Sequence, residues 1–222
     1  MPSPDLTLTE HIAALLPDGV AVVAGRIEDL QDPLFVSEKS AVARAIPKRV
    51  REFTAGRTAA RRAMSQLGVS PTALPPLESR APAWPESIVG AITHTDTLAA
   101  AIVGEAKHMR SLGLDLEDTH RLEPKLWGTL FTKNEQRYLT SLPVGEQQRS
   151  ATLFFSAKEA FFKYQFPLTQ AWVGFHDAEL HPTSDSTLSL KLLRSDLPAL
   201  RHPQPTIQYR FGPTWVVTTV HD

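Results

Sequence analysis

Cysteine is absent from the 222 residues, which excludes disulfides, thiolate metal sites and cysteine nucleophiles together. A chain without cysteine also fits a cytosolic setting. Charge of one sign is missing too: the formal net charge is −1, so nothing draws the whole molecule to nucleic acid, and any anion-binding surface must be local. The opening stretch, Met1 to Val20, holds Asp5, Glu10 and Asp18 and no lysine or arginine. A secretory signal needs a basic start and an unbroken apolar run, so this is not one. No apolar run is long enough to cross a bilayer, and no repeat period is visible. What remains is an ordinary globular composition, 42% hydrophobic and 21% charged. Its length suits one large domain or two small ones sharing an interface, enough to bury a core without staples.

Half of the 18 prolines lie in three stretches read as connections: Pro71 to Pro85, Pro167, and Pro198 to Pro205. The first group cannot be regular helix, because proline removes a donor and restricts its predecessor. Before it, Lys48 to Leu67 reads as a helix, with Gly68 where a C-terminal stop belongs. After it come β-like runs at Ser87 to Ile92, Leu98 to Val103 and Leu112 to Glu117. Thr132 and Glu135 form a capping box that opens a short helix ending near Ser141. Glu146 to Gln165 reads as a longer helix, and Thr187 to Leu193, Thr206 to Phe211 and Trp215 to Val220 as strands. Helices and strands in runs, without strict alternation, predict an α+β fold.

Four stretches carry candidate chemistry. In Ser111-Leu112-Gly113-Leu114-Asp115-Leu116-Glu117, alternation puts the leucines on one strand face and Asp115 and Glu117 on the other. Two carboxylates side by side repel unless a cation lies between them. Mg²⁺ suits such a pair, often sharing one or two carboxylates with substrate phosphates. Gly113 on the same face is expected to leave room for a ligand. The plain alternative is an amphipathic strand with a wet polar face. In the helix Phe154 to Lys163, Phe154, Ala157 and Phe161 should face the core, with Glu159 and Lys163 one turn apart on one face. That pair is either a surface ion pair or a third metal carboxylate accompanied by two phosphate-binding lysines. From Arg44 to Arg62 lie Arg44, Lys48, Arg49, Arg51, Arg57, Arg61 and Arg62 against a single acid, Glu52. This is a solvated helix face, a nucleic-acid contact or a site for a phosphorylated ligand; no nucleic-acid motif and no interleaved aromatics accompany it. Further on, Ile92-Thr93-His94-Thr95 ends an apolar run with groups able to bond a phosphate.

In order and spacing these pieces resemble the phosphopantetheinyl transferase superfamily, in its larger bacterial, enterobactin synthase component D-like type. The matching stretches are Arg49-Val50-Arg51-Glu52-Phe53-Thr54-Ala55-Gly56-Arg57, Pro82-Ala83-Trp84-Pro85, Gly90-Ala91-Ile92-Thr93-His94, Gly113-Leu114-Asp115-Leu116-Glu117 and Phe155 to Lys163. Trp172-Val173-Gly174-Phe175 and His221-Asp222 echo the same group. One departure stands out: the turn before Pro82 usually carries glycine and a lysine or arginine, and here reads Glu78-Ser79-Arg80-Ala81, so Arg80 is taken as the basic residue from a shifted position.

The resemblance implies two pseudo-symmetric α+β halves, residues 1–110 and 111–222, with coenzyme A in the cleft between them. It assigns Asp115, Glu117 and Glu159 to the metal, Mg²⁺ or else Mn²⁺, with Glu159 also the base for the carrier serine. Arg49, Arg57 and His94 are assigned to the 3′-phosphate end of coenzyme A, and Arg80 and Thr93 to coenzyme A binding as well. Lys158 and Lys163 go to the pyrophosphate, Lys163 counting as catalytic as well, and Phe155, Phe162 and Trp172 to the pantetheine arm. The implied activity is Mg²⁺-dependent transfer of 4′-phosphopantetheine from coenzyme A to a serine of an apo acyl or peptidyl carrier protein, by a cytoplasmic monomer with no nucleic-acid partner. Two other readings stay open on the residues alone: an Mg²⁺-dependent hydrolase of coenzyme A or a related nucleotide diphosphate, and a nucleic-acid-binding module using residues 44–62.

Overall fold

Residues 7–119, 122–196 and 205–221 are described by the structure, a computed structural model. The stretch read as a connection over 198–204 and the terminal Asp222 lie outside them. The chain divides into two compact units, Met1–Arg110 and Ser111–Asp222, each built on an antiparallel sheet. Helices and antiparallel strands in both units make the fold α+β, as the runs of elements predicted.

The first unit opens with α1 (Leu8–Ala13), closed at its start by a Thr7–Glu10 capping box. It continues through β1 (Ala21–Arg26), α2 (Val36–Ala41), α3 (Pro47–Gln66), β2 (Ile88–His94) and β3 (Leu98–Glu105). Its sheet has the order β1-β3-β2. Helix α3 starts on Pro47, where a missing N–H costs nothing. It stops before Gly68, whose φ of +74° belongs to a left-handed end. Its alanines at 55, 59, 60 and 63 are fully buried, in one cluster with Ile88, Ala99, Ala101 and Val103 of the sheet. Small side chains on both layers let the helix axis lie close to the strands. The proline-rich connection is ordered by a tight turn, in which Arg80 donates to the Leu77 carbonyl at 2.8 Å and itself takes a φ of +69°.

The second unit runs β4 (Leu112–Asp118), α4 (Trp127–Leu130), α5 (Lys133–Ser141), α6 (Val144–Thr169), β5 (Ala178–Ser184), β6 (Thr187–Leu192), β7 (Thr206–Phe211) and β8 (Trp215–His221). The strands are ordered β4-β8-β7-β6-β5. The long helix α6 packs on β4 and β8, and its Phe154, Ala157, Ala160 and Phe161 join Leu180, Leu188, Ile207, Val216 and Val220 in the core. One expectation needs correction: Pro167 lies inside the last turn of α6 and not in a connection, where little helix remains for its missing donor to disturb. Strand β5, which the sequence reading leaves out, is an edge strand with an irregular register between Pro182 and Ser184, where a missing donor is tolerated. Among the described residues no helix is long and apolar enough to cross a membrane.

Gly113 decides how closely α6 seats on β4. A Cβ added there would run into the carbonyl group of Ala160 and the Cβ of Tyr164. The room expected for a ligand at this glycine is therefore taken by the helix. Gly113→Ala should force α6 off the strand and lower the unfolding free energy by at least about 2 kcal/mol. Urea denaturation followed by circular dichroism checks this; an unchanged midpoint would contradict the packing described.

Candidate active site

Register places Gly113 opposite Val220, Asp115 opposite Thr218 and Glu117 opposite Val216. Cross-strand partners share a face, and Val216 and Val220 belong to the core beneath α6. The carboxylate face of β4 is thus turned toward the helix, not toward water. Ser156 and Thr218 exchange a 2.9 Å hydroxyl hydrogen bond that ties α6 to β8 on this face. The expected wet face does not form.

Asp115 is buried, and its Oδ1 accepts a 2.7 Å bond from the Lys163 ammonium. Lys163 also donates to the Leu114 carbonyl at 3.0 Å. So Lys163 pairs across to the strand, and the one-turn Glu159–Lys163 ion pair does not form. A local pair on a wet helix face is worth only a few tenths of a kcal/mol. A buried carboxylate together with a backbone carbonyl outcompetes it. Two of the three ammonium protons are thereby engaged and one is left for a ligand. Glu159 is half-buried, and burial pushes its carboxyl above the usual range; Lys163 opposes the shift and Asp115 adds to it. Glu117 is half-buried at the end of the same strand face.

Do these groups suit a divalent cation? Hard oxygen donors stand on facing elements, and the like charges of Asp115 and Glu159 feel one another. Yet among the described residues no three carboxylates or imidazoles are gathered into a metal-holding group. The donor set fits Mg²⁺ in kind, as one or two carboxylates shared with a ligand's phosphates. It is not a ready-made cage.

Lys158 is placed differently from Lys163. Its ammonium is buried and donates to Glu135 Oε2 at 2.8 Å, to the Leu130 carbonyl at 3.3 Å and to the Phe175 carbonyl at 2.5 Å. All three donors are spent inside the protein. Burial lowers its pKa, Glu135 opposing. Glu135 has a second task beyond its cap, for its other oxygen accepts from the Leu180 N–H at 2.9 Å. Sequence reasoning saw only the cap, because a cap is local and these partners are not.

Beside them is a pocket of about 130 Å³ lined by Lys158, Glu159, Phe162, Trp172, Val173 and Phe175 among others. Trp172 remains 71% exposed and meets the Phe162 ring edge-on at 5.1 Å. Phe155 is not in the lining; it stacks on Phe175 at 5.7 Å.

In the first unit, Arg49 Nη1 lies 2.9 Å from His94 Nε2. Arginine can only donate, so Nε2 accepts and the proton sits on Nδ1, which faces the Thr95 carbonyl at 3.2 Å. Arg57 is buried, donates from Nε to the Leu74 carbonyl at 2.5 Å and lies 4.3 Å from the Phe53 ring centre. Burial pulls its pKa down to about 10, with Arg49 and Arg61 adding to the effect and Glu38 opposing it. Arg61 bonds the fully buried Glu38 at 2.9 Å, and Arg62 grips Asp32 through two bonds. The basic run is therefore largely committed to partners in its own unit, unlike a solvated face. Thr93 is buried, and strand alternation sends it to the face opposite His94. The two do not converge. Arg80 stands exposed on its turn.

Lys158→Met should leave Glu135 buried with its main counter-charge gone. Stability should fall by about 3 kcal/mol, read from the urea midpoint. A surface lysine serving only a ligand would leave the midpoint where it was.

Two family profiles cover most of the chain. The 4′-phosphopantetheinyl transferase N-terminal domain matches residues 37–104, and the 4′-phosphopantetheinyl transferase superfamily matches residues 111–219. Among similar proteins, 4′-phosphopantetheinyl transferase Svp of Streptomyces mobaraensis is 36% identical over 82% of this chain and 76% of its own. 4′-Phosphopantetheinyl transferase PptT of Mycobacterium tuberculosis is 33% identical over 82% of each. Enterobactin synthase component D of Escherichia coli K12 is 31% identical over 68% of this chain and 70% of its own. With both units matched in order, and relatives more than 30% identical over most of their own length, this chain is an enzyme of the 4′-phosphopantetheinyl transferase superfamily.

Proposed function

We propose that the protein transfers 4′-phosphopantetheine from coenzyme A to a serine of an apo acyl or peptidyl carrier protein, with a divalent cation, and releases 3′,5′-ADP. The observation that carries this reading is that α6 sets Glu159 and Lys163 one turn apart against β4, where Lys163 bonds Asp115 at 2.7 Å. A carboxylate within hydrogen-bond reach of a serine hydroxyl can take its proton. In the proposed step the serine Oγ bonds to the β-phosphorus of coenzyme A, the bond from that phosphorus to the bridging oxygen breaks, and the serine proton goes to Glu159. Lys163 has one donor left to hold a pyrophosphate oxygen, and it stays where its other two bonds fix it. Phosphoryl transfer asks mainly for such positioning and charge balance.

The remaining assignments follow the same division. Asp115, Glu117 and Glu159 would hold Mg²⁺ or Mn²⁺, which when bound neutralises charge on the phosphates. Arg49, Arg57 and His94 would read the 3′-phosphate, with Arg49 and His94 the more accessible. Phe162 and Trp172 would flank the pantetheine arm. Lys158 supports the site from inside the pocket wall, because its donors are engaged. A cytoplasmic setting suits a chain without cysteine.

Intact-mass measurement of a panel of apo carriers, incubated with the protein and coenzyme A, tests the proposal. One phosphopantetheine arm should appear on a carrier when Mg²⁺ is present and none after chelation. Labelling without metal would overturn the metal dependence. Cleavage of coenzyme A with no carrier labelled would favour the hydrolase instead.

A further inference from the structure

Glu52 is the one acid in the run from Arg44 to Arg62, and the reaction as proposed gives it no task. It lies on α3 with its side chain only 11% exposed. Three cationic or basic groups surround its carboxylate: Lys48 Nζ at 3.9 Å from Oε1, Arg49 Nη1 at 3.5 Å from Oε2, and His94 Nε2 at 3.9 Å from the same oxygen. Arg49 and His94 are also in contact with each other, at 2.9 Å, and Lys48 reaches on to Asp96 at 2.9 Å. Arg57, one to two turns further along the helix, feels the charge of Arg49.

Cations held this close repel one another, and exposed lysine and arginine side chains left to themselves would swing apart into water. A nearly buried counter-charge removes both problems before any ligand arrives. It also carries a cost, since a carboxylate beside an anion site repels the anion. Which effect prevails depends on position. Glu52 lies at the base of the group, with less than an eighth of its side chain in contact with water, whereas Arg49 is half-exposed at 52%. An anion approaching from solvent meets the guanidinium first.

We infer that Glu52 is a positioning residue for phosphomonoester recognition: it holds Arg49 against His94 so that the two present one grip to the 3′-phosphate of the nucleotide. This rests on the assignment of Arg49 and His94 to that phosphate. Glu52 itself touches no substrate. It should therefore influence only ligands that carry the 3′-phosphate.

Calorimetric titration of the full chain with adenosine 3′,5′-bisphosphate and with adenosine 5′-monophosphate separates the possibilities. The wild type should prefer the bisphosphate. Glu52→Gln, which keeps the shape and loses the charge, should reduce that preference by about fivefold, the worth of an ion pair at 3.5 Å without a hydrogen bond, while binding the monophosphate as before. In an Arg49→Ala background the same substitution should have no further effect, whereas a merely structural role would persist there. Glu52→Asp keeps a counter-charge for folding but draws it back by one methylene, and should lose part of the preference. An undiminished preference in Glu52→Gln, or in Glu52→Asp should the glutamine variant not fold, overturns the inference while leaving the phosphate assignment intact. Equal weakening of both ligands, or tighter binding of the bisphosphate, overturns it as well. A wild type that binds both ligands alike removes the phosphate assignment itself, and the inference with it.

Discussion

The second unit is organised by the closeness of α6 to β4. With no side chain at Gly113, the Ala160 carbonyl comes down onto the strand backbone. That seating carries Glu159 and Lys163, on either side of Ala160 in the helix, over a strand face that displays Asp115 and Glu117. A helix seated about an ångström further out would stretch the Lys163–Asp115 contact beyond hydrogen-bond range. The 2.7 Å contact between them is a consequence of backbone packing before it is an electrostatic event. The functional residues are thus placed by rigid elements, a strand and a long helix, and not by loops.

The distribution of charge follows from the same logic in both units. Carboxylates taken out of water are paired and hydrogen-bonded, as burial requires. Glu38 accepts from Arg61 and from the N–H groups of Phe35 and Leu74. Glu135 accepts from Lys158 and from the N–H groups of Thr132 and Leu180. These two carboxylates fasten loops to helices and have nothing left for a ligand. Lys163 and Glu159 differ, one keeping a donor in reserve and the other a basicity raised by partial burial. Composition does not distinguish a lysine with every donor engaged from one five residues away with a donor to spare. The number of donors already spent does.

Much of the fold was legible because its signals are local. The Thr132–Glu135 box, the helix read over Lys48 to Leu67 and the alternation from Leu112 to Glu117 each depend on residues close in sequence. Strand alternation says which side chains share a face but not what covers it, so the helix over Asp115 could not be read. The partner of Lys163 was missed for the same reason, since Glu159 is near in sequence and Asp115 is near only in space. Proline misled at Pro167, read as a connection although α6 runs on to Thr169. The roles given to the site residues came from family resemblance, and the structure separates them. Lys158 and Arg57 are held by internal bonds, Thr93 faces away from His94, and Phe155 stands behind the pocket wall.

The central claim is that Glu159 takes the serine proton, a task apart from any share in holding metal. The most direct test compares the turnover of Glu159→Gln and Asp115→Asn as Mg²⁺ is raised to saturation, with carrier and coenzyme A in excess. Glu159→Gln keeps one oxygen and loses nearly all its basicity, so kcat should stay ~10²–10⁴-fold down at every metal concentration, the usual worth of a general base. Asp115→Asn, which weakens the metal site and leaves the base, should recover appreciably as metal is added. If saturating Mg²⁺ restored Glu159→Gln as fully as Asp115→Asn, Glu159 would be a ligand alone and the proton would have to leave by another route.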